Sequence, residues 1–243
     1  MGIFGHLFYP WGLLLQGAAI IHFIRRRPDT YWIYIILFLG PVGAIVYLLA
    51  EALPDLGSGQ PLKMFQRRKR IGELQGVVQQ NPSTGNYEEL GDLYLDEGHL
   101  AAARNAYERS IAAGAYTTGP FYGRGVAALL MGDAAVALPD LEKTVSKEPD
   151  YDFNRAAGLL ARAYGETGQM ERAEALFRKV TALSTRSETY LDFADLLARE
   201  GKKAEAREWA QRVLDKRPNM PGYLKRRERL WFRRAKKVLK QAA

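Results

Sequence analysis

The chain of 243 residues shows three successive patterns of hydrophobic and polar positions. Its first sixty residues hold two apolar stretches without a charged residue, Leu7–Ile24 and Tyr31–Ala50. From about residue 84 to residue 218, apolar side chains recur at the three- and four-residue spacing of amphipathic helices. The final segment, residues 221–243, combines one apolar stripe with nine basic residues. This succession predicts an all-α chain made of a helical hairpin, a helical array and a closing amphipathic helix.

The central segment repeats with a period close to 34 residues. Glycines recur at intervals of 34, 36 and 33 residues, at Gly98, Gly132, Gly168 and Gly201. An alanine follows each glycine by five residues, at Ala103, Ala137, Ala173 and Ala206. A small residue precedes each glycine by seven, at Gly91, Gly125, Ala161 and Ala194, where it lets the two helices of a unit approach closely. A period near 34 with a glycine turn between two helices predicts four stacked helix–turn–helix units over residues 84–220.

The clearest copy of this pattern is Tyr87–Tyr107, YEELGDLYLDEGHLAAARNAY, and it resembles the tetratricopeptide repeat. The resemblance covers about 135 of the 243 residues. Two units depart from the pattern: the second has Ala128 and Leu141 where that family prefers aromatic residues, and the third has two extra residues. The resemblance implies an α-solenoid whose first helices line a concave groove for a peptide or helix of a partner protein. The groove positions that it implies here are Glu88, Asp92, Tyr122, Val126, Arg162, Leu191, Asp195 and Arg199. Because Glu88 and Asp92 are acidic, a basic or amphipathic partner segment is expected.

The two apolar stretches at the start of the chain predict a membrane hairpin over residues 1–60. Each stretch, written as a helix, approaches the roughly 30 Å hydrocarbon thickness of a bilayer. The segment Arg25–Glu51 resembles the two-span N-terminal region of the cardiolipin synthases of the phospholipase D superfamily. That resemblance implies a hairpin that places a larger domain at the inner face of a bacterial membrane. The catalytic histidine motif of those enzymes is absent, because no histidine here is followed by a lysine two residues later.

The distribution of charge and the scarcity of cysteine and histidine restrict the classes of function that the chain can have. The net charge of +8 divides into 0 for residues 1–60, +4 for 61–83, −4 for 84–220 and +8 for 221–243, so the basic residues flank the array. The basic residues after the second stretch outnumber those before it by five to three, which predicts a two-span inner-membrane protein with cytoplasmic repeats. The chain has no cysteine and three scattered histidines, so neither a metal site nor a cofactor is expected.

Two segments at the ends of the array are interpreted as caps. Residues 61–83 predict a half-repeat helix with Leu74 and Val77 at inward positions and Pro82 at its stop, and residues 221–243 predict a closing helix over the last repeat. The basic side of the closing helix is also a candidate surface for anionic lipid. The candidate lipid-facing residues are Lys225, Arg226, Arg227, Arg233, Arg234, Lys236 and Lys237. Nucleic acid is not an expected partner, because no aromatic platform or loop motif accompanies these residues.

Three functions remain open at the level of the sequence, and none of them is catalytic. The first is a membrane-anchored scaffold that recruits a partner protein through the groove. The second is an accessory subunit of a lipid-synthesis or envelope-assembly enzyme that docks through the hairpin. The third is a chaperone-like holder of exported clients, with the array outside the cytoplasm.

Overall fold

A computed structural model describes residues 3–26, 30–52 and 59–241, and these residues form helices and turns without a β-strand. The chain divides into two units, residues 1–66 and 67–243. Residues 27–29 of the predicted hairpin loop and residues 53–58 of the linker after the second apolar stretch lie outside the described residues.

The first unit is a small helical hairpin with its own core. It contains helices α1 (Ile3–Arg26), α2 (Tyr31–Phe38) and α3 (Gly40–Tyr47), followed by a π-helical turn at Leu48–Ala52. The buried core residues are Ala19, Trp32, Ile36, Ala44 and Tyr47. Two polar side chains of α1 bond across the hairpin: Gln16 Nε2 donates to the Ile36 carbonyl at 3.0 Å, and His22 Nδ1 lies 2.9 Å from the Tyr47 hydroxyl. The polar residues of the first apolar stretch thus serve helix packing.

The second apolar stretch is not one helix. Gly40 has a φ of +58°, a conformation that favours glycine, and Pro41 follows it, so the helix breaks between α2 and α3. Three residues later, a Cβ atom on Gly43 would lie 2.1 Å from the Ile35 carbonyl oxygen, so only glycine fits there. Each of the two helices has eight residues and is about 12 Å long, less than half of the hydrocarbon thickness.

The prediction of a two-span inner-membrane protein is therefore wrong. Within residues 3–26, 30–52 and 59–241, no helix is both long and apolar enough to cross a bilayer. The inference that the repeats face the cytoplasm required a membrane-spanning hairpin, so it is no longer supported.

The second unit contains most of helix α4 (Gly59–Gln80) and then the predicted array of helix pairs. The four pairs are α5 and α6 (Thr84–Asp96 and Leu100–Ala112), α7 and α8 (Gly119–Leu130 and Ala134–Lys147), α9 and α10 (Tyr151–Glu166 and Met170–Leu183), and α11 and α12 (Ser187–Arg199 and Lys203–Asp215). The recurring glycines lie in the turns within the pairs, all with positive φ between 78° and 88°, at Gly98, Gly132, Gly168 and Gly201. The predicted helix–turn–helix units are thereby confirmed.

The small residues of the repeat pattern allow the helices to interlock. The recurring alanines are fully buried, at Ala103, Ala137, Ala173 and Ala206. Gly91 in α5 packs against the Tyr107 ring in α6, where a Cβ atom would lie 2.7 Å from a ring carbon. Gly123 of the next repeat packs against the same ring, with a corresponding distance of 2.3 Å. One buried tyrosine therefore joins the first two repeats through two positions that only glycine can occupy.

The first helices of the repeats form the inner face of the array. Each of α5, α7 and α9 contacts the first helix of the next repeat, whereas the second helices of neighbouring repeats make no comparable contacts within the described residues. Stacked helix pairs that contact in this way curve with their first helices on the concave side. This arrangement places the candidate groove along α5, α7, α9 and α11.

Both ends of the array are covered by additional helices. Helix α4 buries Ile71, Leu74 and Val78 against the first repeat, whereas Val77, predicted to point inward, is 39% exposed. At the other end, α13 (Gly222–Arg227) and α14 (Arg229–Gln241) follow the last repeat, and α14 packs against α11 and α12. The buried residues of α14 are Phe232, Ala235 and Val238. The closing segment is thus a broken helix rather than a continuous one.

Candidate functional site

The first part of the groove presents two carboxylates beside two tyrosines. Glu88 and Asp92 stand one turn apart on α5, and among the described residues neither forms an ion pair. The Glu88 carboxylate occupies the space left open by Gly119 of the second repeat, where a built Cβ atom would lie 2.0 Å from Glu88 Oε1 and 3.7 Å from the Tyr151 hydroxyl. The rings of Tyr151 and Tyr122 lie 4.9 Å apart. We call Glu88, Asp92, Tyr122 and Tyr151 the acidic section.

The electrostatics of the acidic section favour a positively charged ligand. Burial raises the pKa of Glu88, and the neighbouring Asp92 carboxylate raises it further. Burial also raises the pKa of Asp92, while the Tyr107 hydroxyl, which donates to Asp92 Oδ1 at 2.7 Å, partly offsets the shift. Both carboxylates are thus crowded by protein without a compensating cation. A ligand ammonium or guanidinium group would supply the missing charge and relieve their repulsion.

A charged network in the middle of the groove holds an unusual backbone segment. Asp152, Phe153 and Asn154 have φ values of 49°, 52° and 64°, the left-handed region that costs roughly 1–2 kcal/mol per non-glycine residue. Arg186 Nη2 donates to the Asp152 carbonyl at 3.0 Å and to its Oδ1 at 2.9 Å. The Tyr122 hydroxyl donates to Asp152 Oδ2 at 2.9 Å. These bonds fix the segment and also fix the position of Tyr122.

The last part of the groove is a cavity of about 690 Å³ lined by charges of both signs. Its cations are Arg162, Arg199, Lys203 and Arg234, and its anions are Glu166, Asp192 and Asp195. Arg162 pairs with Glu166 at 2.6 Å, and Arg234 pairs with both aspartates. Arg199 and Lys203 have no ion pair among the described residues. We call this cavity the mixed-charge pocket, and its two unpaired cations favour an anionic group.

The aspartates of the mixed-charge pocket are joined to the closing helix through Arg234. Arg234 Nη2 lies 2.6 Å from Asp192 Oδ1 and 2.5 Å from Asp195 Oδ2. Asp192 is 5% exposed, and burial raises its pKa to about 6 although Arg234 and Arg162 act in the opposite direction. The pair therefore links α11 to α14 and closes one wall of the pocket.

The groove residues predicted from the sequence divide into accessible and buried positions. Glu88, Asp92 and Tyr122 contribute to the acidic section, and three others line the mixed-charge pocket: Arg162, Asp195 and Arg199. Val126 and Leu191 lie in the hydrophobic core, at 3% and 0% exposure, and cannot contact a ligand. Sequence reasoning missed Tyr151, Asp192 and Lys203, and it assigned Arg234 to the lipid-facing surface rather than to the groove. Asp192 lies one helical turn before Asp195, so that helical spacing could have signalled it.

The basic residues predicted for a lipid surface do not all lie on one exposed face. Arg234 points into the groove and pairs with the two aspartates. Most of the other predicted residues are exposed on α13 and α14, at Arg226, Arg227, Arg233, Lys236 and Lys237. Lys225 is half-buried, and its Nζ donates to the Pro218 carbonyl at 3.2 Å.

Comparison with known proteins agrees with the repeat architecture. Models of the tetratricopeptide repeat match residues 85–113, 122–188 and 160–221, which together cover just over half of the chain. The matched ranges begin after the first unit, and nothing in the comparisons supports the resemblance of residues 25–51 to cardiolipin synthases. No curated protein sequence matches the chain.

Several solved structures share the fold at low sequence identity. The crystal structure of YrrB, a tetratricopeptide repeat protein with an unusual peptide-binding site, is 17% identical and covers 83% of this chain and 93% of its own, with a TM-score of 0.55. A MamA fragment from Desulfovibrio magneticus RS-1 is 18% identical over 70% of this chain and 97% of its own, with a TM-score of 0.59. The thermophilic repeat protein TTC0263 from Thermus thermophilus is 18% identical over 76% of this chain and 96% of its own, with a TM-score of 0.56.

The structure and the sequence comparison indicate the same protein family. The turn glycines, the buried alanines and the concave row of first helices agree with the matched repeat models. Proteins of this kind are generally protein-interaction scaffolds rather than catalysts. The chain belongs to the tetratricopeptide repeat family.

Proposed function

We propose that this protein is a non-enzymatic scaffold whose concave groove binds an extended or helical segment of a partner protein. The observation that carries the proposal is the opposite polarity of the two ends of the groove. Glu88 and Asp92 at one end have no cation, whereas Arg199 and Lys203 at the other have no anion among the described residues. Complementary charges in a ligand satisfy both ends at once and set its orientation.

The expected ligand therefore carries charge of both signs along its length. A lysine or arginine at one end would enter the acidic section, where tyrosine faces can also contact its side chain. An aspartate, a glutamate or a terminal carboxylate at the other end would approach Arg199 and Lys203. The peptide-binding site of YrrB, which shares this fold, supports a peptide as the kind of ligand.

The test uses two synthetic peptides of identical composition. One has a basic half followed by an acidic half, and the other has the same residues with the charges alternating. We expect fluorescence anisotropy to show tighter binding of the block-charged peptide, because only this peptide can place each sign at its complementary section. Reversing the block order gives a third peptide that reports which direction the groove prefers.

Matched variants locate the binding on the protein. Glu88→Gln combined with Asp92→Asn should weaken binding of the block-charged peptide about tenfold, because two charge-assisted contacts are lost. The control is Glu108→Gln combined with Glu171→Gln, which removes the same charge from exposed positions on the second helices α6 and α10. Equal weakening in both variants would contradict the proposal. Unchanged binding in both variants would also contradict the proposal, because the peptide would then bind outside the groove. Exposed apolar residues of the first unit, such as Leu14 and Phe38 at 65% and 86% exposure, would be the next candidate site.

A further inference from the structure

A second cavity, separate from the groove, is lined almost entirely by positive charge. Its volume is about 300 Å³, and it shares no lining residue with the mixed-charge pocket. The six cations around it are Arg217, Lys225, Arg226, Arg229, Arg233 and Lys236. No carboxylate of the described residues lines it. We call it the basic cavity.

Three segments of the chain bring these cations together. Arg217 lies in the turn after α12, Lys225 lies on α13, and the α14 residues Arg229, Arg233 and Lys236 follow one another at steps of four and three on one helix face. The helix is interrupted at Glu228 between α13 and α14, and residues of both helices line the cavity.

Protein contacts hold part of this arrangement in place. Lys225 Nζ donates to the Pro218 carbonyl, and the Arg217 guanidinium carbon lies 5.7 Å from the centroid of the Phe232 ring, which also lines the cavity. The acid nearest in sequence is Glu228, and it does not line the cavity. Within the described residues, the wall of the cavity therefore contains six basic residues and one phenylalanine but no carboxylate.

This arrangement favours one class of ligand. Like charges gathered in a concavity repel one another, and a multivalent anion relieves this repulsion. Guanidinium groups match phosphate oxygens with paired hydrogen bonds, and adjacent phosphates supply several acceptors in a small volume. A volume of 300 Å³ lies at the lower limit for ligand pockets, so a compact anion fits better than a large one. We propose that the basic cavity binds a ligand that carries several adjacent phosphate groups.

The experiment uses the full chain and sodium tripolyphosphate as the probe, with binding measured by isothermal titration calorimetry at fixed ionic strength. Arg229→Gln combined with Arg233→Gln should weaken binding roughly tenfold or more, because two cations of the cavity are removed. The control is Arg227→Gln combined with Lys237→Gln, which removes the same charge from exposed positions on α13 and α14 that do not line the cavity. The control should retain the wild-type affinity within about twofold. Lys236→Gln alone provides a second, milder site variant.

Several results would overturn the proposal. These are no binding of tripolyphosphate by the wild type, an equal loss in the site variant and the control, or equal binding of sulfate at matched ionic strength. Binding only to phosphatidylglycerol vesicles, or only to RNA, would assign the charge to an extended anionic surface and would also overturn it. Circular dichroism melting curves of each variant exclude loss of folding as the cause of lost binding.

Discussion

Replacing Arg234 with methionine would remove the cation that directly contacts the buried Asp192 carboxylate. In the wild type, Arg234 Nη2 lies 2.6 Å from Asp192 Oδ1, and Asp192 is 5% exposed. Methionine keeps much of the aliphatic length of arginine but none of its charge. The Arg234→Met variant should therefore lose stability in a way that depends on the ionisation of Asp192.

The size and sign of this dependence follow from the pKa of Asp192, which burial raises from 3.8 to about 6. Between pH 3.8 and pH 6 the folded protein keeps the Asp192 proton while the unfolded chain loses it. The free energy of unfolding of the wild type therefore falls by about 3 kcal/mol as the pH rises through this range. Without Arg234, the pKa of Asp192 rises further. If the carboxyl stayed protonated up to about pH 8, the variant would lose about 2–3 kcal/mol more than the wild type between about pH 6 and pH 8.

Urea denaturation at pH 5 and pH 8 measures this difference. At pH 5 Asp192 is largely protonated in both proteins, so the variant should lose only about 1 kcal/mol through its weaker contact with Asp195 and reduced packing. At pH 8 the loss should grow to about 3 kcal/mol or slightly more. Arg233→Met, a substitution of an exposed neighbour on the same helix, serves as the control and should change stability little at either pH.

Two results would refute this reasoning. One is an equal loss of stability at pH 5 and pH 8 in Arg234→Met, because the effect would then not involve Asp192. The other is a failure of Asp192→Asn to reduce the pH 8 loss when it is added to Arg234→Met. The second variant removes the ionisable group while keeping its shape, so it separates charge from packing.

Two further predictions concern the junction of the first two repeats. Tyr107→Phe removes the donor to Asp92 but keeps the buried ring, and we expect a loss of about 1 kcal/mol in urea denaturation together with a further rise of the Asp92 pKa, measurable by NMR titration. An unchanged pKa of Asp92 would contradict the bond. Gly123→Ala places a Cβ atom 2.3 Å from the Tyr107 ring and should lower the free energy of unfolding by about 3 kcal/mol. The control, Gly76→Ala, lies in open space on α4 and should raise the free energy of unfolding by about 0.5–1 kcal/mol. Equal effects of the two alanines would show that helix propensity, and not ring contact, decides the outcome.

The repeat architecture could be predicted because its determinants are local and recur. A glycine with positive φ in each turn and a fully buried alanine five residues later are requirements of the backbone and of close helix approach. Both requirements reappear in each unit at nearly the same spacing. The sequence pattern therefore predicts which helices pair, even when no long-range contact is known.

Features that depend on distant residues could not be predicted in this way. The bond from Arg234 to Asp192 joins positions 42 residues apart, so helix spacing alone identifies neither partner. The left-handed segment at Asp152 follows from bonds with Tyr122 and Arg186 in two other repeats. In the first unit, the uninterrupted apolar stretch indicated one continuous span although it contains Gly40 and Pro41, because hydrophobicity does not report the φ of Gly40.

Helix α14 also covers the end of the repeat array. Its residues Phe232, Ala235 and Val238 cover the surface of the last repeat, where a further repeat would otherwise stack. A repeat array with an open end presents an interface that a second molecule can continue head to tail, and such contacts produce filaments because they do not close. Because α14 occupies that surface, the surface is not available for head-to-tail stacking of a further repeat.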